Sequence, residues 1–182
     1  MDLAATNWLD HHNIIKVKDF GTAKYLDEEG KEVNISYMVT DLAEKGEMFD
    51  IIANTGSLNE YFARRVMKQL FKAVGYMHTK GIAHRDLKLE NMLLDNDFNI
   101  KIIDFGFSSP LLAKDGKNLL ETVCGTLGYM APEIVAGKKY LGVKADMFAL
   151  GVLMFTLLAA RPPFQLATPG DQLYKFIAEG NH

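Results

Sequence analysis

Between residues 84 and 91 the chain reads His84-Arg85-Asp86-Leu87-Lys88-Leu89-Glu90-Asn91, which places two carboxylates, two cations, an imidazole and a carboxamide within eight positions. Asp104-Phe105-Gly106 begins eighteen residues after Asp86, and Glu133, the last member of Ala131-Pro132-Glu133, stands twenty-nine residues after Asp104. A carboxylate at the tip of a short loop can take a proton from a hydroxyl group. Carboxylate and amide oxygens are also ligands for hard cations. Taken singly, Asp86, Asn91 and Asp104 are ordinary turn residues; their order and spacing point to chemistry. His11-His12 is a candidate metal pair, but adjacent histidines point different ways and no other ligand is close in sequence, which favours a turn. Cys124 is the single cysteine, so an intramolecular disulfide and a cysteine-built zinc site are excluded and a reducing compartment fits.

A fold must hold these residues in place, and 182 residues suffice for one domain or one large lobe. Hydrophobic residues make up 48% and charged residues 24%, a globular balance that excludes disordered, collagen-like and coiled-coil classes. The net charge of -3 and the pI of 5.9 argue against nucleic acid or an anionic membrane as the partner. Residues 14–20 and 33–39 are β-branched, partly alternating runs on either side of Asp27-Glu28-Glu29-Gly30, which predicts a hairpin. Ser57-Leu58-Asn59-Glu60 has the form of a capping box. Phe62, Val66, Leu70, Val74 and Met77 follow at helical spacing as far as Lys80-Gly81. Two short apolar runs flank Asp95-Asn96-Asp97 as a second small hairpin, and residues 104–132 read as loop. The apolar run at 147–160 is shorter than the roughly 20 residues that cross a bilayer, so it predicts a buried helix over 146–160 ending before Arg161-Pro162-Pro163. A last amphipathic helix is expected over 171–178. The first ten residues lack a basic leader and a long apolar run, so the chain is expected to be intracellular, in the cytoplasm, without membrane insertion.

With H-R-D-L-x-x-x-N, D-F-G and A-P-E in this order, the chain resembles the eukaryotic protein kinases of the serine/threonine type. Leucine at 89, where proline is common, brings it closest to the calmodulin-dependent and SNF1-related group. The resemblance implies an α+β, protein-kinase-like fold, mostly the helical C-lobe with a partial N-lobe hairpin and a hinge. Residues 1–39 would be the N-lobe remnant, 40–46 the hinge and 47–182 the C-lobe through helix G. The implied activity is transfer of the ATP γ-phosphate to Ser or Thr hydroxyls of protein substrates, with ATP and Mg²⁺ as cofactors.

In this reading Asp86 accepts the hydroxyl proton, Lys88 contacts the transferred phosphate, and Asn91 and Asp104 ligate magnesium. Asp41 and Ala43 pair with adenine through their backbones, with Thr40 as gatekeeper. Glu47 lies near the ribose and Leu93 and Met48 lie beneath the base, while Glu47 and Glu90 can hold basic substrate residues. Val17, His84 and Phe105 form a hydrophobic stack anchored by Asp146. Residues 119–133 resemble an activation loop in which an upstream kinase phosphorylates Thr122, Arg85 grips that phosphate, and Thr126 contacts the catalytic loop.

The first 80 residues contain no G-x-G-x-x-G, and no V-A-I-K lysine precedes the first hairpin, although Asp2 falls near the register of the helix C glutamate. The apolar side of 33–39 is therefore expected to be partly bare, and little or no phosphate transfer is expected of these 182 residues alone. A non-catalytic, kinase-like binding module is the alternative function.

Overall fold

The computed structural model describes residues 9–111 and 119–179, so Asp2 lies outside the described residues. The first hairpin pairs β1 (Val17–Leu26) with β2 (Glu32–Thr40), antiparallel, with Phe20 opposite Met38 and Leu26 opposite Glu32. The Asp27 carboxylate closes its turn by accepting from the backbone N–H groups of Glu29 and Lys31, at 3.1 and 2.9 Å. β1 starts and ends later than the expected 14–20. Ile14 and Ile15 are buried instead, because the Ile15 N–H donates to the Ile102 carbonyl and the Ile102 N–H to the Asn13 carbonyl, both at 2.9 Å. As the sequence suggests, the hairpin is largely bare: Phe20, Ile35, Tyr37, Met38 and Val39 are all exposed.

The lobe that follows is built on two long helices. α1 (Met48–Thr55) is short and buries Met48 and Ile52, and α2 (Glu60–Thr79) carries the predicted apolar stripe with Val66, Leu70, Val74 and Met77 inside. Phe62 departs from that stripe and is exposed. The N-cap of α2 is Asn59, whose side chain accepts from the Phe62 N–H at 3.0 Å; Ser57 does not cap it. The Leu58 N–H is bound to the Leu157 carbonyl at 2.8 Å, which ties the approach to the helix to the far side of the lobe.

After α2 come β3 (Ile82–Ala83), a 3₁₀ turn over Leu89–Asn91, and the expected second hairpin of β4 (Met92–Leu94) and β5 (Ile100–Ile102). Within residues 104–132 the structure adds β6 (Ser109–Pro110), paired with β3, and β7 (Leu119–Leu120). Then follow α3 (Pro132–Val135), β8 (Tyr140–Leu141) paired with β7, α4 (Gly142–Ala159), and α5 (Gln172–Ala178). The Asp171 side chain caps α5 through the Tyr174 N–H, at 3.0 Å.

α4 begins four residues before the predicted start and stops where Ala160 turns left-handed, at φ 52°. By length and composition it could cross a membrane, but half of it is buried here and Leu150, Leu153 and Leu157 join the core with α2, the pattern of a core helix. The same core receives Leu87, Leu89 and Met92. Alternate residues of the 84–91 segment are thus plugged into apolar packing, and Asp86, Lys88 and Glu90 are held between the plugs.

Candidate active site

Asp86 is the centre of the site, only 3% exposed. Its Oδ1 accepts from the Thr126 hydroxyl at 2.7 Å, and its Oδ2 accepts from Asn91 Nδ2 at 3.1 Å and faces Lys88 Nζ at 3.1 Å. Lys88 Nζ also donates to Thr126 Oγ1 at 2.9 Å, closing a triangle of residues 86, 88 and 126. Three donors therefore fix the carboxylate. An ionised carboxylate has about four lone-pair positions, so one remains for an incoming hydroxyl.

Two left-handed residues, Arg85 at φ 69° and Asp104 at φ 59°, shape the walls. Arg85 is held by its backbone N–H on Asp146 Oδ1, at 2.8 Å, while the neighbouring His84 N–H donates to Asp146 Oδ2 at 3.0 Å. Asp146 also receives His78 Nε2 at 2.8 Å, so a buried carboxylate of α4 carries the base of the loop. His84 is fully buried, and burial pushes its pKa down against the opposing pull of Asp146 and the Ile103 carbonyl. The carbonyl of Ile103 can only accept and the Asp86 N–H can only donate, so neutral His84 carries its proton on Nε2, which donates to Ile103 at 3.0 Å; Nδ1 accepts at 3.3 Å. Its ring lies 5.0 Å from that of buried Phe105, while Val17 is half-buried at the start of β1.

Asn91 spends its amide hydrogens on the Asp86 carbonyl, at 2.8 Å, and on the Asp86 carboxylate, which leaves Oδ1 as the atom able to face a cation. Asp104 is exposed, and its Oδ1 accepts from the Gly106 N–H at 3.0 Å, leaving Oδ2 available. Both free atoms are hard oxygen donors, the type that ligates magnesium. Among the described residues no group of three or more His, Cys, Asp and Glu side chains could hold a metal. His11 in particular has its Nδ1 occupied by the Asn13 N–H at 3.0 Å.

Asp41, Ala43 and Glu47 lie in the segment after β2, which pairs with β4 through residues 45–47. Asp41 is tied to β1 through its N–H on the Lys16 carbonyl, at 3.0 Å, and its carboxylate on Lys18, at 2.9 Å. The Asp41 carbonyl accepts from the Thr40 hydroxyl at 3.1 Å, and the Ala43 carbonyl receives a long 3.4 Å contact from Gly46. Glu47 stands at the N-terminal boundary of α1, without a side-chain bond to the helix, and bridges to Leu93 in β4. Met48 is 2% exposed and belongs to the main core. Glu90 has a buried carboxylate oxygen, Oε2, without a hydrogen-bond partner. Tyr129, whose pKa is pushed up to about 12 by burial and then by Glu90, lies beside it.

Thr122 is exposed and its carbonyl accepts from Tyr140 at 2.8 Å. The Tyr140 hydroxyl in turn lies 3.2 Å from Arg85 Nη1, and Arg85 Nε donates to the Phe107 carbonyl at 2.6 Å. Tyr140 is the site residue that sequence reasoning missed: it stands in a two-residue strand, and its partners are 55 and 18 positions away, which leaves no local signal.

Gly125 packs against the same loop. A Cβ there would lie 2.7 Å from the Arg85 carbonyl oxygen, and its φ of 109° disfavours other residues. Gly125→Ala is expected to lower stability by about 1–3 kcal/mol, because the strained segment must move away from Arg85 and take Thr126 with it. Urea unfolding checks this beside Gly75→Ala, where a Cβ meets open space on α2 and no loss is expected.

The chain was compared with known proteins. Residues 1–180 match the family model described as Protein kinase domain. The chain is 39% identical over 183 residues to CBL-interacting protein kinase 9 of Oryza sativa subsp. japonica, an alignment covering 98% of this chain and 37% of that protein. It is 44% identical over 157 residues to Serine/threonine-protein kinase GIN4 of Saccharomyces cerevisiae, covering 86% of this chain and 13% of the relative. CBL-interacting protein kinase 11 of the same rice is 48% identical over 128 residues, or 70% of this chain and 26% of that protein. The chain therefore spans well under half the length of these relatives.

Proposed function

The chain belongs to the protein kinase domain family, and from that premise we propose that it serves as the catalytic part of a serine/threonine protein kinase acting on Ser and Thr hydroxyls of proteins. The observation that carries this reading is the triangle of Asp86, Lys88 and Thr126: a buried carboxylate with one free acceptor position beside a cation. In the proposed step the substrate hydroxyl oxygen forms a bond to the γ-phosphorus of ATP, the bond from that phosphorus to the β–γ bridging oxygen breaks, and the hydroxyl proton passes to Asp86. Asn91 Oδ1 and the free oxygen of Asp104 would hold magnesium, which would supply charge neutralisation on the phosphates. Lys88 adds a positive charge next to the reacting hydroxyl, and Thr126 keeps Asp86 and Lys88 in register.

The finer assignments belong to the same proposal. Asp41 and Ala43 present backbone groups to adenine, Glu47 and Leu93 border the nucleotide, and Glu90 faces basic residues of the protein substrate. An upstream kinase modifies Thr122, and the phosphate enters the reach of Arg85, which already connects to the Thr122 backbone through Tyr140. The division into a hairpin at 1–39, a hinge at 40–46 and a lobe from 47 onward, and an intracellular, cytoplasmic setting, complete it.

The test is thermal unfolding of this chain with ATP, with and without magnesium. A ligand that binds only the folded state raises the midpoint, so ATP with magnesium is expected to raise it more than ATP alone. Asp104→Asn is expected to remove the magnesium-dependent part. Equal curves in all three solutions would sink the assignment.

A further inference from the structure

A cavity of about 370 Å³ lies between the 11–13 turn and α2, and none of its lining residues belongs to the proposed catalytic or nucleotide-facing set. Arg65, Lys68 and Lys72 line it from one face of α2, at spacings of three and four residues. His11 and His12 line it from the turn, and no Asp or Glu is among the lining residues. This concentration of positive charge sits in a chain whose net charge is -3. Among the described residues Arg65, Lys68 and Lys72 form no ion pair, whereas Arg64 beside them is paired with Glu60 at 2.6 Å.

Two neutral polar groups of the wall, Gln69 and His11, are fixed as donors too, while Asn13 and Asn99 direct their amide nitrogens to Gln69 and Ile100 and to Asp95. Gln69 Oε1 accepts from the Ile100 N–H at 3.0 Å and from Asn13 Nδ2 at 2.7 Å, so its amide nitrogen is the end left to donate. That orientation is forced, because a backbone N–H cannot accept, and Asn13 Nδ2 is itself identified by donating to the Ile100 carbonyl at 2.9 Å. His11 Nδ1 accepts from the Asn13 N–H, which places the proton of neutral His11 on Nε2. Asn13 is 1% exposed, so the hydrogen bonds that orient both side chains are set inside the fold.

A concave wall of cations and oriented donors, without an acceptor-rich rim, matches a compact oxyanion. We propose that this cavity is a second ligand site of the protein, one that binds the dianion of a phosphate or phosphomonoester. Three cations around one cavity suit a single doubly charged group better than an extended polyanionic strand, which needs a continuous basic track.

The dianion has two sources, free phosphate or a phosphorylated peptide, and one experiment separates them. Histidine ring NMR signals of the full chain are followed while inorganic phosphate, a phosphoserine peptide or the same peptide without phosphate is added. Saturable shifts of His11 and His12 are expected with a phosphate-bearing probe and not with the unmodified peptide. Saturation by inorganic phosphate alone identifies a free-phosphate site, and tighter saturation by the phosphopeptide identifies a peptide site. Burial, and then the charges of His12, Lys72 and Lys101, hold the pKa of His11 below 6.5, with the Tyr76 ring packed 5.2 Å away. A bound dianion opposes those charges and raises that pKa, so affinity counted per dianion, which itself forms above a pKa of about 6, is expected to fall as pH rises through the titration of His11 in the complex. Replacing both Lys68 and Lys72 by glutamine, substitutions on the exposed face of α2, is expected to weaken binding at least tenfold, while Lys31→Gln at the hairpin turn leaves it unchanged. No saturable shift, or equal weakening by Lys31→Gln, overturns the proposal.

Discussion

Asp146→Ala is expected to lower the stability of the chain by about 3–5 kcal/mol, the range for breaking a buried charged network by removing one partner. Asp146 is 1% exposed and accepts from the His84 N–H, the Arg85 N–H and His78 Nε2 within 3.0 Å. His84 is itself fully buried, so its N–H has no water to turn to once the carboxylate is gone, and an unmet buried donor costs roughly 1–3 kcal/mol. The Arg85 backbone adds to the loss. Its φ of 69° is costly for a side chain of this size, and the Asp146 contact is one of the bonds that hold it there. Against a total stability of about 5–15 kcal/mol for an ordinary domain, this is a large fraction. Asp146→Asn keeps the volume but turns one acceptor into a donor facing another donor, so most of the loss is expected to persist. Urea unfolding with the slope held as a check reads both variants. A loss below about 1 kcal/mol for Asp146→Ala would mean that the 84–86 backbone stands without its support on α4.

What the sequence made legible, and what it did not, follows from the range of the interactions. α2 declares itself through Val66, Leu70, Val74 and Met77 because a helix repeats its buried face every few residues, and the β4–β5 hairpin declares itself through Asp95-Asn96-Asp97 because a turn is local. Errors arise where a distant partner decides. Ser57 looks like a cap, but Leu58 is bound to distant Leu157 and the helix starts at Glu60, capped by Asn59. Ile14 and Ile15 look like strand residues, but Ile102 draws them into the lobe. The site divides in the same way. Residues 84–91 and 104–106 are visible as motifs, while Tyr140 and the close approach of Gly125 to Arg85 exist only once the chain has folded back on itself.

That folding back gives the site a common foundation. Thr126 and Gly125 reach Asp86 and Arg85 from the segment after β7, Asp146 reaches His84 and Arg85 from α4, and Tyr140 joins Arg85 to Thr122. A displacement of 122–126 therefore changes the surroundings of Asp86 through contacts that are each under 3.3 Å, with no long-range relay needed. The proposed modification of Thr122, which is exposed, would act on this short path. Arg85 Nη1 already bonds Tyr140, so a phosphate at Thr122 competes for a guanidinium that the fold has brought near.

Since these 182 residues alone are expected to transfer little or no phosphate, Asp86→Asn is read in a chain completed with a glycine-rich loop and a strand lysine, where it is expected to reduce turnover about 10²- to 10⁴-fold, the usual contribution of a positioned proton acceptor. The substitution is nearly isosteric, and its amide oxygen can still accept from Thr126 or Lys88, so the loop keeps most of its supports. It removes the lone pair that takes the hydroxyl proton, and with it the negative charge beside Lys88. The groups proposed to hold magnesium, Asn91 Oδ1 and Asp104, are left in place. The stabilisation of the folded chain by ATP and magnesium is therefore expected to survive while transfer of labelled phosphate to a Ser- or Thr-containing peptide collapses. The two readouts together separate a proton acceptor from a structural residue, since a structural role for Asp86 would lower both. An Asp86→Asn chain that transfers phosphate as fast as the original would remove Asp86 from the reaction and leave its three hydrogen-bonding partners as architecture alone.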